Sequence, residues 1–176
     1  MRILNDLMGY ADGSFIKAIF NIFFGSNFQM IFWYRVAHFL STVHLSILSR
    51  IIMYFHKLIF SVDIDYRCII GGGLKIVHGL GIVIGKDVVI EENVTIYQGV
   101  TLGGNGGKKE KILGVDREQP YIHSGVKIFA GAVIIGPCEI GENSLVGAGA
   151  LITKSIAPNT IVYSKSERVE TSLLVE

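Results

Sequence analysis

Five histidines, two cysteines and fifteen acidic residues are the first groups in this chain to weigh for moving a proton, holding a metal or attacking an electrophile. His78 stands apart from the other histidines because it interrupts a run of aliphatic and small residues from Ile76 to Ile82. A side chain that titrates near neutrality suits the removal of a proton from a weak nucleophile such as an alcohol. Two carboxylates upstream, Asp63 and Asp65, could orient such a ring. On the residues alone a plainer reading stays open, in which His78 caps a turn and the carboxylates satisfy loop amides. His38, His44 and His56 fall in helical sequence, and His123 opens a later repeat run. None is spaced with cysteine or carboxylate as metal ligands are, so no metal is expected. Cys68 and Cys138 each stand two residues before an inner aliphatic and read as reduced core or corner residues, not as a disulfide.

A repeat must position His78. Ile64, Ile70, Ile76, Ile82, Val88, Val94 and Val100 recur at a spacing of six, and so do Ile122, Ile128, Ile134, Ile140, Val146 and Ile152. An amphipathic helix repeats every three or four residues and a half-buried strand simply alternates. A period of six marks a parallel β-helix of hexapeptide repeats, with three short strands and about eighteen residues per coil and each aliphatic on an inner corner. Gly71, Gly85, Gly103, Gly136, Gly141 and Gly147 fall where the chain must bend. A β-sandwich with evenly spaced strands is the competing architecture, and thirteen phased aliphatics argue against it. The expected organisation is a helical region over 1–60, a β-helix over 61–163 with an external loop at 103–121, and a tail over 164–176.

The first sixty residues differ in kind. Val36, Leu40, Val43, Ile47, Ile51, Phe55 and Leu58 follow helical spacing, which predicts one amphipathic helix or a pair broken near Ser46 to Ser49. Phe15 to Phe24 reads as another helix, started by Asp12-Gly13-Ser14 and stopped by Gly25-Ser26-Asn27. The uncharged stretch Ala18 to Tyr34 is seventeen residues long and contains Asn21, Ser26, Asn27 and Gln29, so it is short and polar for a membrane span. Asp6 and Asp12 interrupt the segment where a signal peptide would lie. These helices are expected to bury their apolar surface against the solenoid or a neighbouring subunit, with peripheral membrane contact as the alternative. Half the residues are hydrophobic and 18% are charged, which excludes a disordered chain. A net charge of +1 with no basic stripe gives no argument for nucleic acid.

Between the two repeat runs, Gly103 to Gln119 breaks the phase and must leave the solenoid as a loop. Loops on a rigid scaffold are where binding residues gather. Lys108, Lys109 and Lys111 could attract phosphate, but three lysines in a glycine-rich loop are also what an ordinary solvated loop carries. The lysine-serine ending of a nucleotide-binding loop is missing.

The segment V-D-I-D-Y-R-C-I-I-G-G-G-L-K-I-V-H-G-L-G-I-V-I-G from Val62 to Gly85, with Q-G-V-T-L-G-G from Gln98 to Gly104, resembles the catalytic coils of the serine acetyltransferases. Y-R-V-A-H-F from Tyr34 to Phe39 is similar to the motif of their last helices before the solenoid. The shorter acetyltransferases of exopolysaccharide pathways share this plan, and the chain length suits them better. The resemblance implies a left-handed parallel β-helix, assembly as a homotrimer, and direct transfer of acetyl from acetyl-CoA to a hydroxyl in the cytoplasm. It implies His78 as general base and Asp63, fifteen residues earlier, as its orienting partner in preference to Asp65. It assigns Gly104, Asn105, Ala130 and Ala148 to coenzyme A, with Lys154 placed to meet a phosphate.

Departures from that family concern the acceptor. Asp12 matches a carboxylate that helps hold the amino acid, but Val77 stands where a second carboxylate precedes the catalytic histidine. Glu118 and Gln119 stand where an arginine-histidine pair would receive the acceptor carboxylate, and Arg117 is one position further off. Exchanging a desolvated cation for neutral or acidic groups is expected to weaken binding of an anionic acceptor by several kcal/mol. The reading is therefore O-acetylation of a sugar hydroxyl on a surface polysaccharide or its precursor, near the inner face of the membrane. Serine O-acetylation and a non-catalytic scaffold are the alternatives. A dimer of trimers built on the helices stays open.

Overall fold

A computed structural model describes residues 2–11 and 13–164. Four helices occupy the first part of the described chain: α1 (Arg2–Ala11), α2 (Phe15–Phe24), α3 (Ser26–Thr42) and α4 (Ser46–Phe60). The Ser14 hydroxyl accepts the Lys17 amide at 3.4 Å, so α2 starts at the expected cap. Gly25-Ser26-Asn27 ends α2 but opens α3 at once, and the two helices differ in direction by 70°. The break in the following apolar pattern falls at 43–45, just before Ser46, with His44 in the left-handed region (φ 65°). Helix α1 is absent from the expected set; its buried residues, Asp6 and Ala11, make no apolar stripe.

Of the partners expected for the helices, the solenoid of the same chain is not the one that covers α4. Val43, Ile47, Ile51, Phe55 and Leu58 are exposed, not packed on the solenoid. The inward side of α4 carries Ser49 and His56 instead. Both point inward because they serve α3: Ser49 Oγ donates to the Ala37 carbonyl at 2.8 Å, and His56 Nε2 donates to the Met30 carbonyl at 3.0 Å.

The repeats form a parallel β-solenoid with three faces. The first face stacks β1 (Asp63–Ile64), β4 (Val83–Ile84), β7 (Thr101–Gly103), β12 (Val133–Ile135) and β15 (Leu151–Ile152). The second stacks β2 (Ile69–Ile70), β5 (Val89–Ile90), β10 (Tyr121–Ile122) and β13 (Glu139–Ile140). The third stacks β3 (Lys75–Val77), β6 (Thr95–Tyr97), β11 (Lys127–Ile128), β14 (Leu145–Val146) and β16 (Ile161–Val162). The external segment folds as a hairpin of β8 (Glu110–Ile112) and β9 (Val115–Arg117). Cys68 and Cys138 are free and fully buried.

The six-residue rhythm hides a phase slip. Ile64 stacks on Ile84, twenty residues on, while Ile84 stacks on Leu102 after the regular eighteen. Ile82 occupies the layer of Val62, because the Asp63 amide bonds the Ile82 carbonyl. Ile82, Val88, Val94 and Val100 are thus the buried residues that precede a strand, and Ile84, Ile90, Ile96 and Leu102 are those within it. Both layers are apolar, so two extra residues pass unnoticed in the letters. They lie between β3 and β4, at His78.

The first coil is closed by the helices. Tyr34 donates from its hydroxyl to the Cys68 carbonyl at 2.7 Å, Arg35 donates to the Ile70 and Gly71 carbonyls, and His38 Nδ1 lies 2.8 Å from the Tyr66 carbonyl. Asp6 accepts the Gly73 and Leu74 amides and pairs with Arg35 at 3.0 Å, both charges being almost wholly buried. Removing one partner of such a pair strands a buried charge, at roughly 3–5 kcal/mol. Arg35→Ala is expected to lose about that much in denaturant unfolding, and Arg35→Lys to recover only part, since an ammonium cannot span two carbonyls and a carboxylate. Burial pushes the His56 pKa below its ordinary 6.5, so the fold holds this ring neutral. Its contribution is complete above that value and is lost as pH falls beneath it. Unfolding measured from pH 7 to 5 is expected to show a steeper loss for the native chain than for His56→Gln.

Candidate active site

His78 sits on the edge where the third face turns into the first. Its own φ is 55°, and a tight turn joins the Leu80 amide to the His78 carbonyl at 2.8 Å. Gly79 is packed against Met30 of α3, and its amide donates to Asn27 Oδ1 at 3.3 Å. The start of α3 therefore holds the two-residue bulge in place. The imidazole is exposed, and among the described residues no hydrogen bond or ion pair engages it.

The expected pairing of His78 with Asp63 is not made within the chain. Asp63 stands at the start of β1 and its carboxylate meets Lys57 Nζ at 2.5 Å. The cause is local: Lys57 lies in the last turn of α4, six residues before Asp63, while the bulge turns His78 outward. Both partners of the ion pair are more than half exposed, and such a pair contributes at most ~1 kcal/mol, so it does not lock the carboxylate. Asp63 and Gly81, three residues beyond His78, border one depression of about 460 Å³ that also takes in Lys57, Ser61 and Val83. Asp65, the rival carboxylate, is tied to Arg67 at 2.6 Å, and that charge and the Arg67 amide draw its pKa down against the opposing effect of burial.

Above His78 the same edge carries a stack of glycines. Gly81, Gly99, Gly131 and Gly149 all have φ between 65° and 68°, and each amide donates to the coil beneath it, to Ser61, Leu80, Gln98 and Ala130. Only glycine adopts this conformation without strain, and outside Gly131 and Gly149 a side chain would meet open space. Ala130 and Ala148 immediately precede two of these glycines, so the structure brings them into line with His78. Beside them, on the outer side of the third face, the rings of Tyr97 and Phe129 stack at 5.1 Å, with Val77 paired to Tyr97. Sequence reasoning missed this aromatic pair; its signal is the large residue following the inner aliphatic in two successive coils of that face.

The remaining candidates lie on the other edge of the first face, where it turns into the second. Gly104 and Asn105 leave β7 there, Asn105 against Gly136, and Lys154 follows β15. Arg117 ends the hairpin with its guanidinium 5.1 Å over the Tyr121 ring and its Nε buried without a partner. Glu118 pairs with Lys109 at 3.1 Å, and Gln119 packs against Gly85. Asp12 lies outside the described residues. Among the described residues no group of three or more His, Cys, Asp or Glu side chains is arranged to hold a metal ion.

Residues 119–154 match the family model described as bacterial transferase hexapeptide (six repeats). Serine acetyltransferases of Synechococcus elongatus and Mycobacterium tuberculosis are 32% and 36% identical over 151 and 129 residues, which is 81% and 73% of this chain and 59% and 54% of theirs. The solved structure of the soybean enzyme complexed with serine superposes with a TM-score of 0.82 at 30% identity, over 95% of this chain and 67% of that one. A serine acetyltransferase in complex with CoA gives 0.80 at 27%, over 92% and 65%. The chain belongs to the hexapeptide-repeat serine acetyltransferase family, and it spans a little over half the length of the relatives named here from the two bacteria.

Asn27→Ala is expected to loosen the bulge without unfolding the solenoid, since one hydrogen bond of this kind contributes about 1 kcal/mol. Faster amide exchange at Gly79 to Gly81, with protection of the inner strands unchanged, is the outcome that checks it.

Proposed function

We propose that this chain transfers acetyl from acetyl-CoA to an acceptor hydroxyl, with His78 as general base. The observation that carries the reading is the bulge: two residues added to one corner, held by α3, place a single unpartnered imidazole at the foot of a glycine-lined edge. In this reaction His78 removes the hydroxyl proton as the oxygen attacks the thioester carbonyl. The tetrahedral intermediate collapses with loss of the coenzyme A thiolate, which takes the proton back from the imidazolium. Asp63, released from Lys57, turns to the ring and stabilises its cation. The open edge at Ala130-Gly131 and Ala148-Gly149 fits a slender pantetheine arm, because no side chain stands in its way. Coenzyme A, when bound, supplies the acetyl thioester.

His78 and Arg117 lie on opposite edges of one face, so a site that uses both needs two copies of the chain. A cyclic trimer meets that need. For the acceptor we favour a sugar hydroxyl. Val77 presents no carboxylate and Glu118, paired with Lys109, stands where a cation would meet an acceptor carboxylate, so among the described residues Arg117, set over the Tyr121 ring, is what remains of a clamp for an amino acid. The Tyr97–Phe129 pair offers an apolar surface on which a sugar ring can rest. Free serine is the second reading, favoured by the relatives being serine acetyltransferases, one of them solved with serine.

Thiol release from acetyl-CoA, followed with a panel of sugars and with L-serine, tests both. His78→Ala is expected to lower kcat by about 10²–10⁴ with the circular dichroism unchanged. Under the sugar reading Phe129→Ala raises the acceptor KM, and turnover of serine at millimolar concentration overturns it.

A further inference from the structure

We propose that the outward face of α2 and α4 is a docking surface for a lipid bilayer that carries anionic headgroups. The inference does not depend on the acetyl-transfer reading. Helix α2 has no buried residue, and Phe15, Ile16, Phe20, Phe23 and Phe24 are each between 59% and 80% exposed. The polar side of this helix faces the protein, where Asn21 donates to the Tyr10 carbonyl at 3.2 Å. Its amphipathicity is thus turned outward, the reverse of a helix that packs on a core.

The same inversion holds in α4. With about 100° between successive residues, Ile47, Ile51, Phe55, Leu58 and Ile59 share one sector, which is exposed. Arg50 and Lys57 lie along one border of that sector. The two helices are joined by continuous apolar surface. A hollow of about 300 Å³ lined by Ile22 and Phe28 and another of about 280 Å³ lined by Ile51 and Phe55 share Gln29 and Trp33 as their common wall.

Charge decides the occupant. From Gly13 to Val62 there is no aspartate or glutamate, although the chain holds fifteen. Arg35 is buried against Asp6, so the cations at this surface are Lys17, Arg50 and Lys57, the last of which also meets the exposed Asp63. A face of aliphatic and phenylalanine side chains, bordered by cations and with tryptophan at its centre, matches the headgroup and acyl boundary of an anionic membrane. No single helix among the described residues is long and apolar enough to cross a membrane. Although α2 and α3 together have the length and composition, they are bent by 70° and α3 buries Met30, Ile31, Tyr34 and Arg35 in the protein, which leaves α2 to lie in the interface. A second copy of the same face would bring like charges together.

Flotation of the full chain with vesicles of phosphatidylethanolamine and phosphatidylglycerol, compared with phosphatidylcholine alone, tests the proposal. The chain is expected to rise with the anionic vesicles and to release as salt screens the border charges. Phe20→Glu with Phe23→Glu is expected to reduce binding about tenfold, while Leu113→Glu on the exposed hairpin leaves it unchanged. Should the first pair fail to fold by circular dichroism, Ile47→Glu with Leu58→Glu on α4 makes the same demand. Failure to bind anionic vesicles, or binding that neither pair weakens, overturns the proposal. So does a lipid-free assembly whose mass falls in these variants while no flotation is seen, since copies of the chain would then cover the face.

Discussion

A solenoid built of parallel strands has an unpaired first coil, and everything above it depends on how that edge is closed. Exposed carbonyls on a strand edge invite pairing with any other chain. Here Tyr34, Arg35 and His38, on one side of α3, bond to the carbonyls of Cys68, Ile70, Gly71 and Tyr66, and Asp6 takes the amides of Gly73 and Leu74. Tyr10 completes the set with bonds to both backbone groups of Ile76. The helical region is the cap of the repeats, which is what repeat architectures require at a terminus. Its polar residues are turned inward for this purpose beside Met30, Ile31 and Tyr34 of α3, and the apolar sides of α2 and α4 are left outside as a result.

That inversion explains why the solenoid was readable in the letters, whereas the apolar stripe of the helices was readable without the surface that covers it. Hexapeptide spacing reports a core made of aliphatics, and Ile122 to Ile152 fall where the spacing puts them. Helical spacing finds the apolar stripe of α4 equally well, but cannot say whether water, lipid or protein lies against it. The hydrogen bonds of Ser49 and His56 decide its direction, and these join positions twelve and twenty-six residues apart. The slip at His78 was invisible for another reason: two consecutive layers of the core accept the same residue types, so Ile82 continues a rhythm to which it does not structurally belong.

The candidate site was legible residue by residue and not as an arrangement. His78, Ala130 and Ala148 stand on one edge, and Gly104, Asn105, Arg117 and Lys154 on the next. A motif gives the order of groups along the chain, whereas the edge each occupies depends on coil lengths of twenty, eighteen and thirty-two residues that only the pairing of strands reveals. The Lys57–Asp63 contact is likewise a property of where α4 ends, which no spacing within the repeats encodes.

All of these coil lengths are even, and so is the sixteen-residue step from Leu145 to Ile161 that brings the last strand into the third face. Side chains alternate along a strand, so a tight corner that grew by one residue would turn the next strand inside out. Growth by two leaves every inward residue inward. Each corner of the solenoid is in this sense an exchangeable position, open to new polar groups in two-residue steps while the aliphatic layers behind it stay as they are.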